Sequence, residues 1–171
     1  MALFKTRGAA IYGIDAHLID VDVDMFASGN ARDSVMVGMP DVAVRESRER
    51  IKSALINSGF GYPNKRITIN LAPANVRKEG AGFDLPVAMG ILGAMGAVKA
   101  LDNHIFIGEL SLDGAIRPVR VARAVWEGLP PTRVERLGIR RTHRGGRRSP
   151  LRIPRRDGCS PSRYALARPP R

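Results

Sequence analysis

The sequence predicts a mixed α/β (α+β) domain over residues 1–119, and three observations carry that prediction. Residues 17–26 alternate strictly between apolar and polar. Residues 40–58 repeat apolar positions at helical spacing. An Asp-Gly pair at 113–114 sits between short apolar runs, a strong local signal for a hairpin.

In the first of these, Ile19, Val21 and Val23 fall on one face and Asp20, Asp22 and Asp24 on the other, which reads as a half-buried strand. Three aspartates on one face could hold a metal, but a solvated strand face needs the same pattern and is the preferred reading. Residues 34–37 give a second strand, ended by Gly38. The helix is read from Pro40 to Ser58, with Pro40 suited to a first turn and Asp41 favourable at the positive helix end. Val44, Ile51 and Leu55 form its apolar stripe, while its charged residues mix signs as a solvated face does. Gly59 supplies the stop. Residues 66–71 alternate again as a third strand. A second helix starts near Asp84, with Pro86 in its first turn, and Ala88, Gly90, Gly93, Ala94 and Gly96 let it approach a sheet closely. The hairpin over 104–119 turns at Asp113–Gly114.

Charge divides the chain in two. The formal charge is +12, yet residues 1–119 hold 13 basic and 13 acidic side chains. Residues 120–171 hold 15 basic residues, all Arg, against 3 acidic ones, together with 7 of the 12 prolines. The front therefore gives no electrostatic reason to expect nucleic-acid binding. The single cysteine, Cys159, cannot form an internal disulfide, which fits a reducing compartment and a cytoplasmic location. The longest apolar stretch, Leu85–Val98, is short for a membrane span, so no membrane partner is expected.

Three strings carry a resemblance: VGMPDVAVRESRERIKSALINSGF, ITINLAPANVRKEGAGFDLPVAMGIL and FIGELSLDGAIRPVR. In this order and spacing they resemble the ComM/YifB family of magnesium-chelatase-like AAA+ ATPases, over nearly all of residues 4–120. The resemblance implies a fold like the Lon protease domain and a ribosomal small-subunit protein domain, here incomplete at its C-terminal end. It also implies an AAA+ domain as partner, ATP and magnesium as cofactors of the full-length protein only, and a role in DNA processing during competence.

The resemblance can be tested against chemistry. A Lon-type serine, laid onto KEGAGFD, falls at Gly82, and its lysine base falls near Arg123. Glycine offers no nucleophile and arginine is a poor base, so protease activity is not expected. The other serines, Ser28, Ser34, Ser47, Ser53, Ser58 and Ser111, have no basic partner that the sequence places beside them. No Gly-Lys pair occurs in the chain, so no phosphate-cradling loop of the G-x-x-x-x-G-K-[ST] kind exists in it. The expectation is a non-enzymatic domain with no catalytic, cofactor or metal residues. The candidate interaction loop is Asn75, Arg77, Lys78, Glu79 and Gly80, continuing through Gly82 to Asp84, where two cations before a glycine could meet a phosphate or a partner domain.

Residues 120–171 break the pattern and read as an Arg/Pro-rich, disordered tail. The preferred reading is out-of-frame translation of a GC-rich gene. Arg and Gly codons read one base later begin with G, and the run Arg144–Ser149 would then permit helical, family-like text. Two alternatives stand beside it: a short adaptor extension, and a small basic nucleic-acid-binding protein acting through this tail. Whatever its origin, such a segment would bind polyanions weakly and in a salt-dependent way.

Overall fold

The computed structural model describes residues 2–12, 15–27, 34–98, 104–117, 119 and 135–136. Among the described residues, eight strands and two helices follow in the order β1 (Ala2–Tyr12), β2 (Asp15–Phe26), β3 (Val35–Val37), α1 (Val42–Asn57), β4 (Arg66–Ala72), α2 (Asp84–Ala94), β5 (His104–Ile105), β6 (Glu109–Leu110), β7 (Ile116–Arg117) and β8 (Glu135–Arg136). Six strands form one sheet in the order β3-β4-β2-β1-β5-β8. β1, β2 and β4 are antiparallel neighbours, and β3, β5 and β8 add parallel to the strands beside them. The domain is mixed α/β, as its pattern implied.

The long hairpin of β1 and β2 organises the core. On β2, Ile19, Val21, Val23 and Met25 are buried, and the aspartates between them point to the other face. Lys5 lies 3.5 Å from Asp22 across the β1–β2 pair, and Arg7 lies 3.3 Å from Asp20. Among the described residues no group of three or more His, Cys, Asp or Glu side chains is placed to hold a metal.

β1 was not foreseen from the pattern. Its inward positions are Phe4, Thr6, Gly8 and Ala10, and after Phe4 they are too small or too polar to read as a hydrophobic stripe. The reason lies opposite them in α2, which packs across β1 and β2. A Cβ on Gly90 would come within 2.6 Å of Val23 Cγ2, and one on Gly93 would overlap the Phe4 ring. Thr6 Oγ1 donates to the Pro86 carbonyl at 2.9 Å. Small residues on both surfaces bring helix and sheet into close contact, so α2 is buried from Asp84 through Gly93. No helix of the described residues is long and apolar enough to cross a membrane.

Three element boundaries differ from the sequence reading. Pro40 precedes helix α1 rather than opening it, and Asp41 is the N-cap, accepting the Val44 N–H at 2.7 Å. A single 3-10 turn over Ala81–Phe83 leads into α2. The hairpin is shorter than read: only β6 and β7 form it, while Ile105 belongs to the main sheet beside Arg7. Its turn is tied to the end of α1, where Asn57 Nδ2 donates to the Leu112 carbonyl at 2.7 Å. Of the segment 120–171, only β8 lies within the described residues.

Candidate interaction loop

The loop runs from the end of β4 to the start of α2, and α1 holds it at two points. Near its middle, Asp41 N–H donates to the Lys78 carbonyl at 3.0 Å, and Lys78 N–H donates to the Met39 carbonyl at 3.4 Å. Asp41 Oδ2 accepts the Gly80 N–H at 3.1 Å while its other oxygen caps the helix. One carboxylate thus serves both the helix start and the loop.

At the second point Arg50, from α1, meets Asp84. Its Nε lies 3.0 Å from Oδ2 and an Nη 3.1 Å from Oδ1, a two-pronged ion pair. Asp84 Oδ2 also accepts the Leu110 N–H at 3.1 Å. The side chain is 0% exposed. Burial pushes its carboxyl above the ordinary 3.8, against the opposing pull of Arg50 and the Leu110 N–H. The hydrogen bonds to Asp84 in turn raise the Arg50 guanidinium further above its already high value.

The remaining residues divide by direction. Asn75, Arg77 and Glu79 are exposed, and Arg77 and Glu79 pair with each other at 2.9 Å. Lys78 turns inward and is 0% exposed, with its ammonium donating to the Pro73 carbonyl. Burial lowers its pKa from the usual 10.5. Among the described residues no carboxylate forms an ion pair with it. The loop therefore shows the solvent one self-neutralised pair and one amide, with no cluster of free cations. Gly82 lies at the 3-10 turn, its carbonyl accepting the Gly108 N–H at 3.2 Å.

Ser47 donates to the Val44 carbonyl inside α1, and Ser111 is engaged in the hairpin turn with Asp113 and Ala115. Arg123 lies outside the described residues. The residues that sequence reading missed are Asp41 as a loop anchor and Arg50 as the partner of the buried Asp84. Arg50 sits among Arg48, Glu49 and Lys52 in a run that reads as a solvated face. The only available signal was an arginine two turns into a helix that also carries a capping aspartate.

Comparison with known proteins places this architecture. Residues 21–130 match the family described as subunit ChlI of Mg-chelatase. Protein YifB of Escherichia coli (strain K12) is 45% identical over 121 residues, covering 70% of this chain and 24% of the relative. Competence protein ComM of Haemophilus influenzae is 42% identical over 121 residues, covering 70% of this chain and 23% of its own. Protein Mb2921c of Mycobacterium bovis is 36% identical over 122 residues, again covering 24% of the relative. The chain thus spans about a quarter of the length of these curated relatives. The matched stretch contains α1, the interaction loop, α2 and the hairpin, together with the anchors Asp41, Arg50 and Asp84. This chain belongs to the ChlI family of Mg-chelatase-like proteins and corresponds to the N-terminal region of its YifB and ComM members.

Proposed function

We propose that this domain is the accessory N-terminal domain of a magnesium-chelatase-like AAA+ ATPase engaged in DNA processing, acting through protein contacts and performing no hydrolysis itself. The observation that carries the reading is the 45% identity over 121 residues to a relative of which that stretch is 24%. The competence role comes from the name of the ComM relative and is transferred on that likeness. Two features of the chain support a non-enzymatic role. It has no Gly-Lys pair to cradle a phosphate, and Gly82 stands where a Lon-type nucleophile would be. The test is to assay the purified chain for ATP hydrolysis and peptide cleavage, then add it to a relative lacking its own matched domain. Stimulation of ATP hydrolysis by that relative, with no turnover by the chain alone, supports the reading. Hydrolysis by the chain alone refutes it.

A second reading rests on a different observation, the confinement of the +12 charge to residues 120–171. On this reading the chain is a small nucleic-acid binder acting through that segment. Binding would weaken steeply with salt and vanish when residues 121–171 are deleted.

A further inference from the structure

The main sheet ends in β8 on one side and β3 on the other. Among the described residues β3 pairs only with β4, which leaves the outer edge of Val35–Val37 without a strand partner. Such an edge is a template for another segment, and natural edges are blunted by short length, lysine, proline or a bulge. β3 is short, at three residues, but carries no lysine or proline. Val35 and Val37 are 37% and 42% exposed, and beyond them Met39 and Val42 are 58% and 68% exposed. Of the seven exposed large hydrophobic residues among those described, four thus fall within eight positions of the chain. Met39 is also the one non-glycine residue at positive φ among those described, at 55°. An exposed methionine held in that region is a strained conformation of the kind concentrated at functional surfaces.

We infer that the β3 edge, with Val35, Val37, Met39 and Val42, is the surface on which the remainder of the full-length family protein docks, through an extended aliphatic segment that adds to β3. The inference rests on the accessory-domain reading above. The occupant follows from chain length: the relatives carry about three-quarters of their sequence outside the matched stretch, so this domain works beside a much larger body. An open edge with aliphatic side chains fits an extended apolar segment from that body, since main-chain hydrogen bonds supply affinity and side-chain contacts supply register. The exposed pair Arg77 and Glu79, whose loop is bonded to Met39 and Asp41, forms a polar rim.

The test is a binding titration of this whole chain against a relative that lacks its own matched domain but retains ATP hydrolysis, which certifies that it is folded. Three versions are compared: the natural chain, a Val37→Lys/Val42→Glu variant, and a Leu3→Lys/Leu112→Lys variant altered at other exposed hydrophobic residues. Unchanged thermal melting would show that the substitutions leave the fold intact. The inference expects the first pair to weaken binding roughly tenfold or more and the second to leave it unchanged. Equal binding by all three overturns this surface and leaves the accessory-domain reading standing. No binding by the natural chain overturns both. A concentration-dependent dimer of the natural chain, lost in the first variant, overturns the assigned occupant in favour of a second copy.

Discussion

Arg50 grips both carboxylate oxygens of Asp84 at 3.0 and 3.1 Å, joining the middle of α1 to the first residue of α2. The same carboxylate receives the Leu110 N–H, so three elements meet on one buried group. Breaking such a pair from the arginine side leaves an uncompensated charge inside. Arg50→Met is expected to cost about 3 kcal/mol of stability, measured by urea unfolding. Asp84→Asn should cost less, because Arg50 retains access to water.

The pH dependence of that loss has a definite sign. Burial already raises the Asp84 pKa above 3.8, so the folded state holds this proton more tightly than the unfolded chain does. The group's contribution is therefore full below 3.8 and is lost as pH rises through the folded pKa. Removing Arg50 takes away an opposing pull and lifts the pKa further. The destabilisation by Arg50→Met should be larger at neutral pH than near 3.8, and a uniform loss across that range would contradict it.

Lys78 gives the opposite slope. Its pKa lies below 10.5, so between the folded value and 10.5 the unfolded chain binds more protons. Stability should rise with pH through that window. Lys78→Met should remove the slope and raise stability near neutral pH by roughly 1 kcal/mol, because a buried ammonium with no counter-charge is replaced by an apolar chain of similar length. A destabilised variant would mean that the bond to the Pro73 carbonyl outweighs the cost of burying the charge.

Much of the fold was legible because β2, β4 and α1 each bury one periodic face. Ile19, Val21 and Val23 face inward as the alternation required, and so do Val44, Ile51 and Leu55 at helical spacing. What stayed hidden depends on a partner far away in sequence. Thr6 and Gly8 make a strand face only because Pro86, Phe83 and the glycines of α2 lie against it. In the candidate loop the sequence marked the segment but not its directions. Arg77 and Lys78 look alike on paper, yet one is exposed and the other is enclosed beneath Pro73.

The close approach of α2 to the sheet should be sensitive to single methyl groups. Gly93→Ala would place a carbon in the Phe4 ring. The overpacking is expected to cost about 1–3 kcal/mol, exceeding the roughly 1 kcal/mol gained in helix propensity. Pairing it with Phe4→Leu should recover part of the loss, a non-additivity that thermal unfolding of the double-mutant cycle would show.

Two turn glycines offer a matched comparison. Gly59 and Gly114 have φ of 86° and 81°, but only Gly114 lies against protein, with Ser58 Oγ in the way and the Ala54 carbonyl 3.2 Å from an added Cβ. Gly59→Ala should cost about 1 kcal/mol from backbone strain alone. Gly114→Ala should cost at least twice that and loosen the hairpin, seen as faster amide exchange at Leu110 and Ser111. Equal costs would show that the turn is not seated on α1.

The aspartates of β2 bear on how the chain survives its own folding. β1 and β2 form an eleven-rung ribbon whose inner face carries Ile19, Val21, Val23 and Met25. Before the helices arrive, two such ribbons could stack face to face into a growing fibril. The other side of each ribbon carries Asp20 and Asp22 paired with Arg7 and Lys5 across the strands, together with Asp24, so a third layer would have to strip water from these charges. That desolvation cost opposes further stacking while the aliphatic face is still uncovered.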